Sequence, residues 1–163
     1  MKYTLLLLIL MIQACGGNNR TIYDHDIGYI DPVNSLGPAN FETCGSRIFQ
    51  YYNSLPAAGY KYGKNALRDS VMQHFKKVSD DSGYLIIRFV INCKGLAGRY
   101  EIVESDLNFN PNHFSENVKT MFLEIVINHL KEWNPVILEG QSRDAYMYLN
   151  FKMKNGEIVE ILP

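Results

Sequence analysis

Hydrophobic residues fall along this chain in blocks whose period changes from two to nearly four. From Tyr84 to Ile91 seven of eight residues are apolar, and only Arg88 interrupts. β-Branched and aromatic types dominate the run, with Gly83 before it and Gly95 after it, so it predicts a strand. Both alternating faces, Leu85/Ile87/Phe89/Ile91 and Tyr84/Ile86/Val90, are apolar, which places this strand at the centre of a sheet. Past Lys94-Gly95, the stretch from Gly98 to Ser105 predicts a second strand and hence an antiparallel hairpin. Between Asp144 and Met153 the residues Met147, Leu149, Phe151 and Met153 alternate with Tyr146, Tyr148, Asn150 and Lys152. That period predicts a third strand, on the other side of the first. Asn155-Gly156 is a strong hairpin signal, after which Ile158 to Leu162 can return as a short fourth strand.

Two segments carry helical spacing instead. Ala66, Leu67, Val71, Met72 and Phe75 form one apolar stripe after Asn65, a residue suited to cap a helix from Asn65 to Lys77. Val118, Met121, Phe122, Ile125, Val126 and Leu130 predict a second helix from Glu116 to Lys131, capped by Ser115 and closed by Trp133 and Pro135. The expectation is an α+β fold: an antiparallel sheet of three to four strands with both helices packed on one face. The spacing of Ile48, Phe49, Tyr51, Tyr52 and Leu55 is compatible with a further short helix, ended by Pro56.

The beginning of the chain reads differently. Lys2 is followed by an apolar run from Leu5 to Ile12, too short to span a bilayer and suited to a secretory signal. Ala14-Cys15-Gly16 resembles a bacterial lipobox, with Gln13 its departure from the commonest form. The resemblance implies cleavage before Cys15 and lipid on that residue; a plain signal peptide with a spare cysteine is the alternative. The expected organisation is a lipoprotein signal peptide (residues 1–14), a flexible tether from lipidated Cys15 (15–40), an N-terminal extension (41–59) and a domain (60–163). The tether is rich in Gly, Asn, Asp and Pro. Its Asp24-His25-Asp26 reads as a solvated turn, because adjacent side chains on extended backbone do not converge on a metal ion.

A formal net charge of −1 gives no reason to expect nucleic acid as a partner. In an exported, oxidising compartment the two cysteines left beside Cys15 are expected to pair, as a Cys44–Cys93 disulfide, against the alternative of two separate buried thiols.

In order, Tyr62-Gly63-Lys64-Asn65-Ala66-Leu67, then Phe89, Ile91 and Gly95, then Trp133 and Pro135, then Gly140 and Phe151 resemble the C-terminal domain of TonB. The likeness covers residues 60–163. It departs at Lys64, where the family has a second glycine, and at Phe75-Lys76-Lys77-Val78, where the family has an aromatic-proline pair. The resemblance implies a module that binds an envelope protein or peptide by adding an extended segment to a sheet edge, in a transport-related or envelope-assembly role. The location implied is the periplasmic side of the cell envelope, lipid-anchored at the outer membrane. A lipid anchor and a tether reaching at most about 80–90 Å offer no transmembrane segment through which a motor could act. Tyr146, Tyr148 and Asn150, on the outer edge of the third strand, are the expected partner-binding residues.

Candidate chemistry is sparse. The sequence holds no phosphate-binding glycine loop, no nucleophile elbow and no His pair at ligand spacing, so no enzyme activity, cofactor or metal is expected. His74, His113 and His129 read as surface or boundary residues. Two other readings stand beside partner binding: a structural component of an envelope complex without exchangeable ligand, and a cell-wall hydrolase of unrecognised type.

Overall fold

The computed structural model describes residues 28–53 and 58–162. In chain order the elements are β1 (Phe49–Gln50), β2 (Gly59–Tyr60), α1 (Gly63–His74), β3 (Gly83–Ile91), β4 (Ala97–Ser105) and α2 (Glu116–His129). They are followed by β5 (Trp133–Asn134), β6 (Val136–Leu138), β7 (Gln141–Arg143), β8 (Ala145–Lys154) and β9 (Glu157–Leu162). Among the described residues the fold is α+β, with two helices and a five-stranded sheet.

β3 is central, antiparallel to β4 on one side and to β8 on the other. Leu85, Ile87, Phe89 and Ile91 are fully buried on one face of it, as a strand with two neighbours and apolar alternation demands. Against that face pack Leu67 and Val71 of α1 and Val118, Phe122, Ile125 and Val126 of α2, together with Leu149 and Phe151 of β8. Phe122 lies 4.5 Å, ring centre to ring centre, from Phe151. Truncating so enclosed a ring costs about 3–5 kcal/mol.

Two expectations are corrected at this level. The sheet is mixed and has five strands, because β9 and β1 both join β8, at opposite ends of the same side. β9 runs antiparallel from Asn150↔Leu162 to Lys154↔Glu157, whereas β1 runs parallel at Phe49↔Ala145 and Gln50↔Tyr146. The short helix suggested around residues 41–55 is absent over its described part, 41–53, which holds β1 instead. Ile48 packs with Ile30, Val90 and Tyr146 on the outer face while Phe49 packs on the main core, so the segment buries alternate residues rather than a stripe.

The helix boundaries also shift. α1 begins at Gly63, which places Asn65 inside the first turn, and Tyr62 stands at the cap without a side-chain capping bond. Ser115 does precede α2, but its hydroxyl donates to Asp81 Oδ2 (2.9 Å) rather than capping the helix.

Candidate functional site

Residues 28–40, the described part of the expected tether, lie on the sheet. Ile30 is buried with Val90 and Tyr146. Leu36 N–H donates to Tyr100 O (2.8 Å), and Tyr100 N–H donates to Leu36 O (2.9 Å), closing a one-residue bridge on the outer edge of β4. Gly98 of β4 allows this approach: a Cβ there would overlap the Phe41 ring. Residues 28–48 thus form a strap across one end of the sheet.

The strap is held covalently. Cys44 and Cys93 form a disulfide with Cα atoms 5.9 Å apart, across a sequence separation of 49. Beside it Asp144, only 2% exposed, accepts the N–H groups of Cys44 (2.8 Å) and Gly45 (2.9 Å) with Oδ2 and that of Cys93 (2.8 Å) with Oδ1. One carboxylate satisfies three backbone donors where strap, hairpin and β8 meet. Ligand atoms of Cys44, Cys93 and Asp144 lie within 4.8 Å of one another. With the two sulfurs bonded to each other they are not available to a metal ion.

Between the strap, the β3–β4 turn and the end of α2 lies a cleft of about 660 Å³, walled by Phe41, Leu96, Tyr100, Ile127 and Leu130. Its buried polar side chain, Asn92, is committed to backbone: Nδ2 donates to Glu42 O (3.0 Å), and Oδ1 accepts from Lys94 and Leu96 (3.0 Å each). That amide fixes the turn and the strap.

The structure does not bring Tyr146, Tyr148 and Asn150 together on an open edge. Tyr146 is buried beneath Ile30. Tyr148 is half exposed, its hydroxyl 3.3 Å from that of Tyr51 and the two rings edge-to-face at 5.4 Å. The hydrogen bond to Tyr148, reinforced by partial burial, pushes the Tyr51 hydroxyl up to about 12. Asn150 is half-buried opposite Leu162, and its Oδ1 is buried without a hydrogen-bond partner. The reason for the correction is the hairpin. Asn155 (φ 50°) and Gly156 (φ 76°) both take the left-handed conformation of a tight two-residue turn, which folds β9 back along β8. Only residues 147–149 of β8 lack an outer neighbour strand among the described residues.

The outer edge of the sheet on this side is therefore β9, which has no further neighbour among the described residues. Val159 (57% exposed) and Leu162 (39%) are its exposed apolar side chains. Above it, Lys64, Leu67 and Arg68 of α1 border a recess with Leu149 and Ile161. Sequence reasoning missed both the Asp144 hub and the basic flank of α1. An aspartate directly before an apolar alternating strand was the one visible sign of the first. Cys15 lies outside the described residues. No helix among the described residues is long and apolar enough to cross a membrane. No known family, curated protein or solved structure matches the chain.

Proposed function

We propose that this chain is a lipid-anchored protein of the bacterial cell envelope, held through Cys15 at the outer membrane, whose domain binds a protein partner by taking an extended segment onto a sheet edge. Supporting the address are the lipobox-like Ala14-Cys15-Gly16 and the Cys44–Cys93 disulfide, a bond that persists in oxidising compartments. Supporting the binding mode is the ordered set of TonB-like residues over 60–163. The observation that carries the reading is β9, an edge strand of six residues whose outer side has no partner strand among the described residues and whose Val159 and Leu162 are exposed. The reading differs from the initial expectation only in the strand that receives the peptide.

A second reading, a permanent structural contact, draws on the outer sheet face. Val103, Ile86, Asn150 and Leu162 stand in register across four strands there. Nearby, Phe109, 73% exposed, stacks on Tyr84 at 4.8 Å. Photocrosslinking side chains placed at Val159 or at Val103 of the full chain in intact cells separate the two. Adducts from Val159 favour edge addition. Adducts from Val103 alone favour the structural contact and overturn the first reading.

A further inference from the structure

The β9 edge lies beneath a flank of α1 that carries positive charge, and the two elements run alongside each other. On one side α1 meets α2: Ser70 Oγ donates to His129 O (3.4 Å), and the His74 and His129 rings stack at 3.5 Å. On the side away from α2, Lys64, Arg68 and Met72 recur at i, i+4 and i+8 and so share one stripe. All three are exposed, and neither Lys64 nor Arg68 has an ion-pair partner among the described residues. At its amino end the stripe meets the end of β9, where Lys64 and Arg68 share a recess with Ile161. Beyond its carboxyl end the chain passes the start of β9, where Gly156 sits against Lys77 and Ser79. The helix and β9 are therefore antiparallel, with Lys64 and Arg68 bordering the end of the outer strand.

Among the described residues, no strand pairs with the backbone of β9 along its outer edge. Even-numbered residues of β8 turn their backbone groups outward, as the bond from Tyr51 N–H to Tyr146 O (3.1 Å) demonstrates. Their partners Glu157, Glu160 and Leu162 turn inward to meet them, which leaves Ile161 and the bulge at Ile158–Val159 facing out. A strand added there would lie about 4.8 Å beyond β9, and every second side chain would point to the helix side. Residues two apart on that strand are about 6.6 Å apart, close to the roughly 6 Å rise between Lys64 and Arg68.

We infer that the segment bound at β9 is acidic on its helix-facing side, with two carboxylates spaced two residues apart against Lys64 and Arg68 and an apolar residue two further on against Met72. This rests on β9 being the receiving edge. Two desolvating but partly exposed ion pairs give selectivity of about tenfold at low ionic strength, declining as salt is added.

The test uses the full chain and three blocked heptapeptides of sequence Thr-X-Thr-X-Thr-Val-Thr, with X as Glu, Ser or Lys, read by backbone amide shifts and titration. The glutamate peptide is expected to move amides of residues 157–162 and 64–72 and to bind about tenfold more tightly than the serine peptide. The paired charge reversal Lys64→Glu/Arg68→Glu, at exposed sites, is expected to transfer the preference to the lysine peptide. Equal binding of the glutamate and serine peptides, with shifts at β9, overturns the acidic specificity and leaves edge addition standing. Shifts absent from β9 with every peptide, or confined to the cleft beside the disulfide, overturn both.

Discussion

Asp144 Oδ1 accepts the N–H of Cys93 at 2.8 Å while its other oxygen accepts from Cys44, so one buried carboxylate bonds the backbone on both sides of a disulfide. The covalent bond and the charge-assisted bonds act on the same junction. The disulfide limits how far the strap can stray in the unfolded chain, and the carboxylate fixes its direction in the folded one. This junction carries β1 to β8 and so covers the end of β8 that would otherwise be an edge.

Replacing both Cys44 and Cys93 by serine is expected to lower stability by about 4 kcal/mol, the chain-entropy value for a loop of this length. Because the constraint acts on the unfolded chain, amides that exchange through global unfolding, such as those of Leu85 and Ile87 in β3, are expected to accelerate. Leu36 and Tyr100, whose mutual bonds depend on the strap, are expected to exchange faster still, through local detachment of the strap. Exchange at Leu36 and Tyr100 as slow as at Leu85 and Ile87 would contradict a strap-specific role.

Gly98→Ala introduces a Cβ into the Phe41 ring. The overlap is expected to cost about 1–3 kcal/mol in urea unfolding, as overpacking does. Combining it with Phe41→Ala, which removes the Cγ and Cδ2 atoms that the new Cβ would meet, should recover part of that loss. Strictly additive costs in the double variant would show that the ring and Gly98 do not meet.

Acid dependence is expected at the start of α2. The Ser115 N–H first, then burial in the opposite sense and the Ser115 hydroxyl, set the Asp81 carboxyl, and the net direction is below the ordinary carboxylate range. A depressed folded-state value means that the stabilisation is fully present above about pH 4 and disappears as pH falls through the folded-state value. The stability difference between the native chain and Asp81→Asn should therefore be largest near neutrality and shrink below about pH 4. A difference that does not change with pH would remove Asp81 from this role.

The central strand, its two neighbours, both helices and the disulfide were legible because each is written in local pattern or in cysteine count. Tyr84 to Ile91 is apolar on two faces, which allows one placement only. What was not legible depends on contacts distant in sequence. The three bonds to Asp144 join residues about 50 and 100 apart, and no local period announces them. β1 is two residues long and parallel, held by its neighbours rather than by its own propensity. The Asn155-Gly156 turn is visible in the sequence, but its consequence is not: a six-residue return strand suffices to move the free edge from β8 to β9. The basic flank of α1 acquires meaning only once β9 lies beneath it.

Asn150 supplies the last prediction. It stands between Ile86 and Leu162 on the outer face, and its Oδ1 is buried with no hydrogen-bond partner. An unsatisfied buried acceptor costs about 1–3 kcal/mol, and asparagine is also a poor strand residue beside valine. Asn150→Val is therefore expected to stabilise the isolated chain by about 1 kcal/mol, visible as a higher urea midpoint with unchanged slope. The same substitution discriminates between the two binding surfaces. If the outer face is a permanent interface, the change of side chain between Ile86 and Leu162 alters the surface the partner contacts, and the valine variant changes its crosslinking from Val103 while gaining stability. If the partner adds to β9, crosslinking from Val159 is unchanged by the substitution, because the Asn150 side chain points to the sheet face and not along the edge. A destabilised variant would mean that the Asn150 oxygen is satisfied in the native protein, and would remove it as a marker of either surface.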